Sequence, residues 1–472
     1  MSRVVARDID FESIRTEFDL VEDFSSEAID EARSASDRCA DEREDRTDLA
    51  LVTIDPPGSM DLDQAVHLER TDRGFVVNYA IADVAAVVVP GGALDTETRR
   101  RGQTYYLPDG SVPLHPRELS EDSPSLLPDR KRPAVLWRVE LDSRAEPVAW
   151  SVTRALVRSV ARLDYATVQS DADSGRLHPS IAALPEFGKR RMAAAITRGA
   201  IELKLPEQDV VKVEAGVDGA ASWRIVPAPR TEADDWNAEV SLLTGMCAAR
   251  MMLDAGVGLL RTLPPAEDSA LTALRHTALA LGIAWPEGKG AGEVLAGLDP
   301  NETTTLALMS EAPTLLRGAD YAAFEGTEPE ESVHSAIGAP YAHVTAPLRR
   351  LSDRFATEIC LAVGAGGEVP DWVREALPAL PKIMSISDSV SNKVERACID
   401  LTEAVMLSDR VGEVFEATVL RASEKKRAAE VFVPSVMVIA KCSGTPREGE
   451  QAKVRLAAAD AAERTVAFTF PA

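Results

Sequence analysis

Residues 49–65 read LALVTIDPPGSMDLDQA, and this stretch sets the expectations for the whole chain. Its apolar, β-branched run LVTI favours a buried strand. Two prolines and a glycine at 56–58 then end the strand, because proline lacks a backbone donor and fixes φ. The strand therefore delivers Asp55 to its end, and a tight loop carries Asp61 and Asp63.

The three carboxylates of this loop lie within nine residues and repel one another unless a cation lies between them. Mg²⁺ and Mn²⁺ prefer oxygen ligands, so the loop predicts a metal site formed by Asp55, Asp61 and Asp63. A solvated acidic loop is the alternative. A calcium-binding EF-hand is excluded, because the positions that need glycine and glutamate hold Met60 and Val66.

IDPPGSMDLDQA resembles the signature of the ribonuclease II (RNB) family of 3′→5′ exoribonucleases. Blocks similar to the family's follow in the same order: RRRGQTYYLPD (99–109), RLDYATV (162–168), RGAIEL (198–203), AEVSLLTGMCAAR (238–250), YAHVTAPLRRLSD (341–353) and NKVERACID (392–400). The resemblance spans roughly residues 48–405. It implies an α+β fold, in which an RNB catalytic domain with a mixed sheet surrounded by helices precedes a small all-β OB-fold barrel.

The resemblance also implies an activity, which is metal-dependent hydrolysis of single-stranded RNA from its 3′ end to nucleoside 5′-monophosphates. Asp55, Asp61 and Asp63 would hold Mg²⁺, with Mn²⁺ as the other candidate, and Arg349 would join them as a catalytic residue. Arginine suits a phosphate next to the scissile bond, because its planar fork binds two oxygens and stays charged. Gln64 stands where most members have a fourth Asp, and its carbonyl oxygen could serve as a further metal ligand without charge.

RNA contacts come from the same resemblance. It assigns them to Tyr165, Glu239, Tyr341, His343, Thr345, Arg350 and Glu395. Tyr165 would stack on the 3′-terminal nucleotide, with a buried structural tyrosine as the alternative. Glu239 would contact the terminal sugar or merely complement the dipole of a helix predicted over 231–253. Thr231 with Asp234 resembles a capping box at the start of that helix. Glu395, on another predicted helix, would accept from the ribose 2′-hydroxyl.

Three regions are expected along the chain. Residues 1–47 carry apolar side chains at helical spacing and form an N-terminal helical extension without room for the cold-shock domains of many family members. Residues 48–408 form the RNB catalytic domain, in which the β-rich run GFVVNYAIA (74–82) predicts a strand beside the first. Residues 409–472 contain short alternating strands and form an OB-fold RNA-binding domain without an aromatic-rich face.

The formal net charge of −24 is unusual for a protein that binds RNA, which normally has a basic surface. A negative exterior is compatible with RNA binding if basic groups converge in a narrow channel. Candidate basic clusters are 99–101, 130–132, 189–191, 349–350 and 425–427. A solvated face is the alternative for each.

Other sequence features bear on location and function class. The chain has no apolar run of membrane-spanning length and no apolar signal-peptide core, and its five cysteines are scattered. We therefore expect a cytoplasmic monomer with no membrane partner. Two other functions remain open: a catalytically weakened RNA-binding protein on the RNB scaffold, and a phosphodiesterase acting on DNA or small nucleotides.

Overall fold

A computed structural model describes residues 6–7, 9–203, 205, 208–213, 222–228, 230–424 and 427–472. Within these ranges the strands are β1 (Ala6–Arg7), β2 (Glu44–Asp45), β3 (Leu51–Ile54), β4 (Gln64–Thr71), β5 (Gly74–Ala82), β6 (Tyr105–Leu107), β7 (Gly110–Val112), β8 (Lys131–Leu141), β9 (Pro147–Leu163), β10 (Gln208–Val213), β11 (Ser222–Pro227), β12 (Val257–Thr262), β13 (Asp320–Glu325), β14 (Val333–His334), β15 (Ala339–Pro340), β16 (Val414–Arg421), β17 (Ala429–Val433), β18 (Val438–Ser443), β19 (Gln451–Asp460) and β20 (Thr465–Thr469). The α-helices there are α1 (Glu12–Glu17), α2 (Ser26–Ser34), α3 (Ala93–Arg101), α4 (Arg117–Ser120), α5 (Tyr165–Asp173), α6 (Leu184–Thr197), α7 (Glu232–Ala255), α8 (Asp268–Ala280), α9 (Ala291–Ala296), α10 (Thr303–Glu311), α11 (Leu351–Gly364), α12 (Asp371–Ala376) and α13 (Leu380–Leu407).

The central sheet has the strand order β2-β9-β3-β4-β5-β8, and β8 also pairs with β9. The long strand β9 thus contacts β8 along its first part and β3 at its end, so the sheet curls back on itself. Because β3 runs parallel to β9 and antiparallel to β4, the sheet is mixed, as predicted. The strand predicted at 74–82 is confirmed as β5, but its expected place beside β3 is wrong, because the β4–β5 hairpin inserts β4 between them.

Helix α7 covers this sheet and begins where its sequence predicts. The Thr231 hydroxyl accepts from the Asp234 amide while the Asp234 carboxylate accepts from the Thr231 amide, which forms a capping box. Apolar residues at helical spacing, such as Val240 and Leu243, then join the same core as Val52 of β3. The described helices include none long and apolar enough to cross a membrane.

The C-terminal strands form a closed barrel in the order β16-β17-β18-β20-β19, which confirms the predicted small all-β domain. The alternating run at 429–438 predicts a single strand, but β17 ends at Val433 and β18 begins at Val438 after a turn. Met437 has a φ of +57°, which extended backbone does not tolerate, so the chain turns there. The barrel docks on the catalytic domain partly through Thr303, whose hydroxyl donates to the Gly449 carbonyl at 2.7 Å.

The N-terminal helices α1 and α2 are present as predicted, and the segment that joins them is fastened to the catalytic domain by Arg101. The Arg101 guanidinium donates to the carbonyls of Val21 and Asp23, each at 2.8 Å. The same group lies over the Phe24 ring at 3.7 Å. The boundaries predicted at 47/48 and 408/409 stay predictions, and β2 already pairs with β9 of the sheet.

We expect Arg101→Met to destabilise the fold by about 2–3 kcal/mol, because it removes the buried guanidinium that donates to the Val21 and Asp23 carbonyls and lies over the Phe24 ring. Arg100→Met is the matched control, since Arg100 is exposed and pairs with Glu97 of its own helix, and it should cost less than about 0.5 kcal/mol. Urea unfolding measures both values. Equal effects of the two substitutions would contradict this role of Arg101.

Candidate active site

Asp55 emerges at the end of β3, where the sequence predicts it. Its amide donates to the Leu163 carbonyl of β9 at 3.1 Å, so its backbone still belongs to the sheet. Burial raises the pKa of Asp55 to about 6, with Asp61 adding to the shift and Arg349 opposing it. Its buried Oδ2 has no hydrogen-bond partner among the described residues, which leaves a carboxylate oxygen available to a ligand.

The loop after Asp55 is held by Ser125. The Ser125 hydroxyl donates to the Met60 carbonyl at 2.6 Å and accepts from the Leu62 amide at 3.0 Å. The Ser125 side chain is fully buried, so the loop cannot swing freely into solvent. Asp61 lies between these two anchored residues and is partly exposed.

Asp63 is the most deeply buried of the three carboxylates, at 3% exposure. Its Oδ1 accepts from the Leu348 amide at 2.8 Å, and its Oδ2 lies 3.4 Å from Nε of Arg349. Burial raises the pKa of Asp63 to about 8, although Arg349 and the Leu348 amide oppose the shift. An acidic side chain is thus kept in a dry site directly beside a cation.

Asp353 shapes the loop that carries Arg349. The Asp353 carboxylate lies in the first turn of α11 and accepts from the Ala346 amide at 2.7 Å. Arg350 donates to both oxygens of the same carboxylate, at 2.7 and 2.8 Å. Arg349 is left 47% exposed beside Asp63, with its pKa raised overall because Asp63 and Asp61 outweigh the opposing effect of burial.

Two tyrosines adjoin this cluster. Backbone hydrogen bonds from Thr104 to Arg349 and from Leu351 to Gly102, each at 2.9 Å, fix the β6–β7 hairpin beside the arginine. The hairpin presents Tyr106, which is 53% exposed and lies near Arg349. On the Asp55 side, burial raises the pKa of the partly buried Tyr165, with Asp55 adding to the shift.

The acidic side chains fit the expected metal ion in chemistry but are not gathered as a ligand set. Across the described ranges, no group of three or more His, Cys, Asp or Glu side chains is arranged to hold a metal ion. The donor chemistry nevertheless fits a hard divalent cation, because Asp55 has an unpartnered buried oxygen and both Asp55 and Asp63 are costly to ionise without a counter-charge. The full burial of Asp63 and the partial burial of Asp55 argue against a simple solvated acidic loop.

Gln64 has protein partners at both ends of its amide. Its Nε2 donates to the Thr345 carbonyl and its Oε1 accepts from the Tyr79 hydroxyl, both at 2.6 Å. The role of Gln64 as a metal ligand stays a prediction. Thr345 lies at the site as expected, and its backbone carbonyl accepts from Nε2 of Gln64.

His343 and Arg350 line a polar cavity of about 260 Å³ beside the site. The cavity is completed by Gln103, Arg261, Asp388, Ser391 and Asn392. Burial lowers the pKa of His343 well below its usual range, helped by Arg350 and Arg261, so the imidazole is neutral. The Tyr321 hydroxyl lies 2.7 Å from its Nδ1. A neutral His343 can exchange hydrogen bonds with a ligand but brings no positive charge.

Tyr341 packs beneath this cavity. Its ring is 8% exposed and meets the His343 ring edge-on, with centroids 5.4 Å apart. Gly245 of α7 is required here, because a Cβ at that position would lie 2.2 Å from the Tyr341 ring. The direct RNA contact predicted for Tyr341 stays a prediction, and packing is the role that the structure gives it.

The two glutamates assigned to the sugar have different surroundings. Glu239 is buried on α7, with its carboxylate 3.6 Å from Nε of Arg191. Asn237 and Ser241 of α7, on the opposite helix face, are the residues that reach Tyr165 and Tyr79.

The structure therefore gives Glu239 a structural partner and does not bring it to the acidic cluster. On α13, exposed Glu395 shares a face with Asp388 and Asn392 of the cavity. The sugar contacts of both glutamates stay predictions.

Most side chains of the basic clusters form ion pairs with acidic residues of the protein. Their ion pairs are Arg99–Asp95, Arg100–Glu97, Lys131–Asp45, Arg132–Asp122, Lys189–Glu232, Arg190–Glu186 and Arg191–Glu146. Of the clusters within the described residues, the one at 349–350 reaches the acidic loop. Lys425 and Lys426 lie outside the described residues.

Sequence reasoning missed three residues of this site. Tyr106 and Asp353 lie in the blocks at 99–109 and 341–353, and Ser125 lies between blocks, but the sequence pattern indicates a role for none of them. For Asp353 the spacing to Arg350 was a usable signal, since residues three apart meet on a helix. Tyr106 gave no such signal, because alternation in a short strand does not tell which of two adjacent tyrosines faces the site.

Comparison with known proteins agrees with this geometry. The RNB domain model matches residues 43–362, and the model of the RNase II-type exonuclease C-terminal S1 domain matches residues 413–470. The exosome complex exonuclease RRP44 homolog A of Arabidopsis thaliana is 28% identical over 370 residues, which are 75% of this chain and 38% of the relative. The chain thus spans less than half the length of this curated relative.

Two solved structures show the same fold. Mycoplasma genitalium RNase R in complex with ribose methylated single-stranded RNA superposes with a TM-score of 0.86 at 19% identity, covering 97% of this chain and 77% of that one. Yeast Ssd1, described as a pseudonuclease, gives a TM-score of 0.67 at 16% identity, covering 88% of this chain and 52% of that one. The family model covers more than half of this chain. The chain therefore belongs to the RNB family and carries the RNase II-type C-terminal S1 domain.

Proposed function

We propose that the protein is a metal-dependent 3′→5′ exoribonuclease that hydrolyses single-stranded RNA to nucleoside 5′-monophosphates. The observation that carries the proposal is the burial of two carboxylates, Asp55 and Asp63, against a half-exposed Arg349 at one edge of the RNB sheet. Membership of the RNB family supports the reaction class. The RNA-bound state of the Mycoplasma RNase R neighbour supports the substrate.

Asp55, Asp61 and Asp63 would hold one or two Mg²⁺ ions, with Mn²⁺ as the other candidate. A divalent ion so bound lowers the pKa of a water molecule and offsets charge on a phosphate. Arg349 would bind the phosphate next to the scissile bond through its planar fork, and its partial exposure leaves that fork accessible. Its contact with Asp63 fixes where the phosphate lies relative to the acidic side chains.

The surrounding residues would hold the RNA. Tyr165 and Tyr106 flank the site and would stack on bases irrespective of sequence, since every base has a π-face. Arg350, His343 and Glu395 would contact the sugar–phosphate chain, with Glu395 accepting from a 2′-hydroxyl. We further propose that the protein acts as a cytoplasmic monomer.

Incubation of 3′-labelled and 5′-labelled single-stranded RNA with Mg²⁺ or Mn²⁺ tests the activity. Labelled mononucleotide should appear at once from the 3′-labelled RNA, whereas the 5′-labelled RNA should shorten gradually. Asp63→Asn should lower the rate by about 100-fold or more while RNA is still bound. Asp72→Asn, in the exposed β4–β5 turn, is the matched control and should leave the rate unchanged.

Intact RNA bound by the wild-type protein in both metals would overturn the proposal and favour the RNA-binding alternative, for which the pseudonuclease fold neighbour is a precedent. Equal cleavage of a DNA oligonucleotide would instead favour the general phosphodiesterase.

Metal binding should also change how stability depends on pH. In metal-free protein, the folded state keeps protons on Asp55 up to about pH 6 and on Asp63 up to about pH 8, whereas the unfolded chain releases them near pH 4. The folded state therefore binds more protons in this window, and stability falls as pH rises from about 4 to 8. Mg²⁺ stabilises the ionised carboxylates, so it should raise the melting temperature more at pH 8.5 than at pH 5.

Melting curves at both pH values, with Mg²⁺ or with a chelator, measure this difference. In an Asp55→Asn/Asp63→Asn variant the Mg²⁺ effect should disappear. An Mg²⁺ effect of the same size at both pH values, or one retained in the variant, would count against binding at these carboxylates.

A further inference from the structure

Gln64 lies in a partly buried series of hydrogen bonds that joins four parts of the molecule. The Thr345 carbonyl accepts from Gln64, Gln64 accepts from the Tyr79 hydroxyl, and that hydroxyl lies 2.8 Å from Oγ of Ser241. Tyr79 is 1% exposed and Thr345 is 4% exposed, so water cannot easily replace these bonds. The start of β4 is thereby tied to β5, to α7 and to the loop before Arg349.

The two hydrogen bonds of Gln64 require a side chain that both donates and accepts, as an amide does. A carboxylate has no N–H to donate, so an aspartate or glutamate would place a negative oxygen against the Thr345 carbonyl. Aspartate is also shorter by one methylene than glutamine and would not span the same gap. The Gln64 carbonyl oxygen already accepts from Tyr79, and so it faces the sheet interior.

Two consecutive residues, Asp63 and Gln64, bind the two ends of the segment 345–348 that precedes Arg349. Gln64 holds the carbonyl of Thr345, and Asp63 holds the amide of Leu348 at 2.8 Å. We propose that Gln64 is a positioning residue that fixes Arg349 relative to the acidic side chains, and that it is not a metal ligand. The proposal builds on the exoribonuclease function proposed above.

The test compares Gln64→Met, which keeps the length but loses both hydrogen bonds, with Gln64→Asp. Gln64→Met should lower kcat on single-stranded RNA by about tenfold, which corresponds to the one hydrogen bond that ties Gln64 to the loop before Arg349, while Mn²⁺ affinity measured by calorimetry stays unchanged. Gln64→Asp should lower kcat at least as much and should not tighten Mn²⁺ binding. Hydrogen exchange of peptides covering 345–350 should accelerate in both variants.

Tyr79→Phe removes the hydroxyl that bonds Gln64 and Ser241, and it should lower kcat about threefold. Its effect should not add fully to that of Gln64→Met, because the two residues share one hydrogen bond. Tyr105→Phe is the matched control, since its hydroxyl donates to the Arg101 carbonyl outside this series.

Higher kcat and tighter Mn²⁺ binding in Gln64→Asp would overturn the proposal and make position 64 a ligand. Wild-type kcat and unchanged exchange in Gln64→Met would overturn it as well. These outcomes differ from a failure of the exoribonuclease function, in which the wild-type protein itself would release no mononucleotide.

Discussion

The buried contact of Asp63 with the Leu348 amide and Arg349 is the interaction on which the site depends. Removing a carboxylate from water is expensive unless hydrogen bonds and an opposite charge compensate it. The compensation here comes from a loop 285 residues away in the chain. Two distant segments must therefore meet in one geometry before Asp63 can be buried at all, and Arg349 is carried to the acidic loop as a consequence.

The scaffold supports this meeting on each side. The Ser125 hydroxyl binds the backbone of the acidic loop, and the Asp353 carboxylate binds the Ala346 amide in the loop before Arg349. The Thr104 amide donates to the Arg349 carbonyl. These supports are buried hydrogen bonds of the backbone or of short side chains, which position groups more sharply than surface ion pairs do. They also hold Arg349 beside Asp63 and Asp61, which raise its pKa, so a positive group faces the site although the chain has a net charge of −24.

Local signals in the sequence predicted the local structure well. The β-branched run before Asp55, the capping box at Thr231 and the alternating C-terminal strands each became the element that they indicated. These patterns depend on neighbouring residues alone, so one sequence suffices to recognise them. The acidic loop was also recognisable from its own residues, whereas Arg349 was linked to it by the family resemblance between distant blocks.

Contacts between distant side chains were harder to predict. Nothing near Gln64 indicates that its amide bonds to Thr345, 281 residues away, and nothing near Glu239 indicates that it pairs with Arg191. The basic clusters misled partly for the same reason, since Lys131 and Lys189 pair with Asp45 and Glu232 of distant segments. Arg190, by contrast, pairs with Glu186 of its own helix. The predicted strand order was wrong because the sequence pattern did not reveal β4. The structure places β4 between β3 and β5.

Anomalous X-ray diffraction from crystals of the protein soaked with Mn²⁺ tests the central claim most directly. The account predicts an anomalous peak within bonding distance of carboxylate oxygens of Asp55, Asp61 and Asp63, on the side facing Arg349, and no Mn²⁺ contact to Gln64. A peak elsewhere, or carboxylates that stay apart and empty at saturating Mn²⁺, would contradict it.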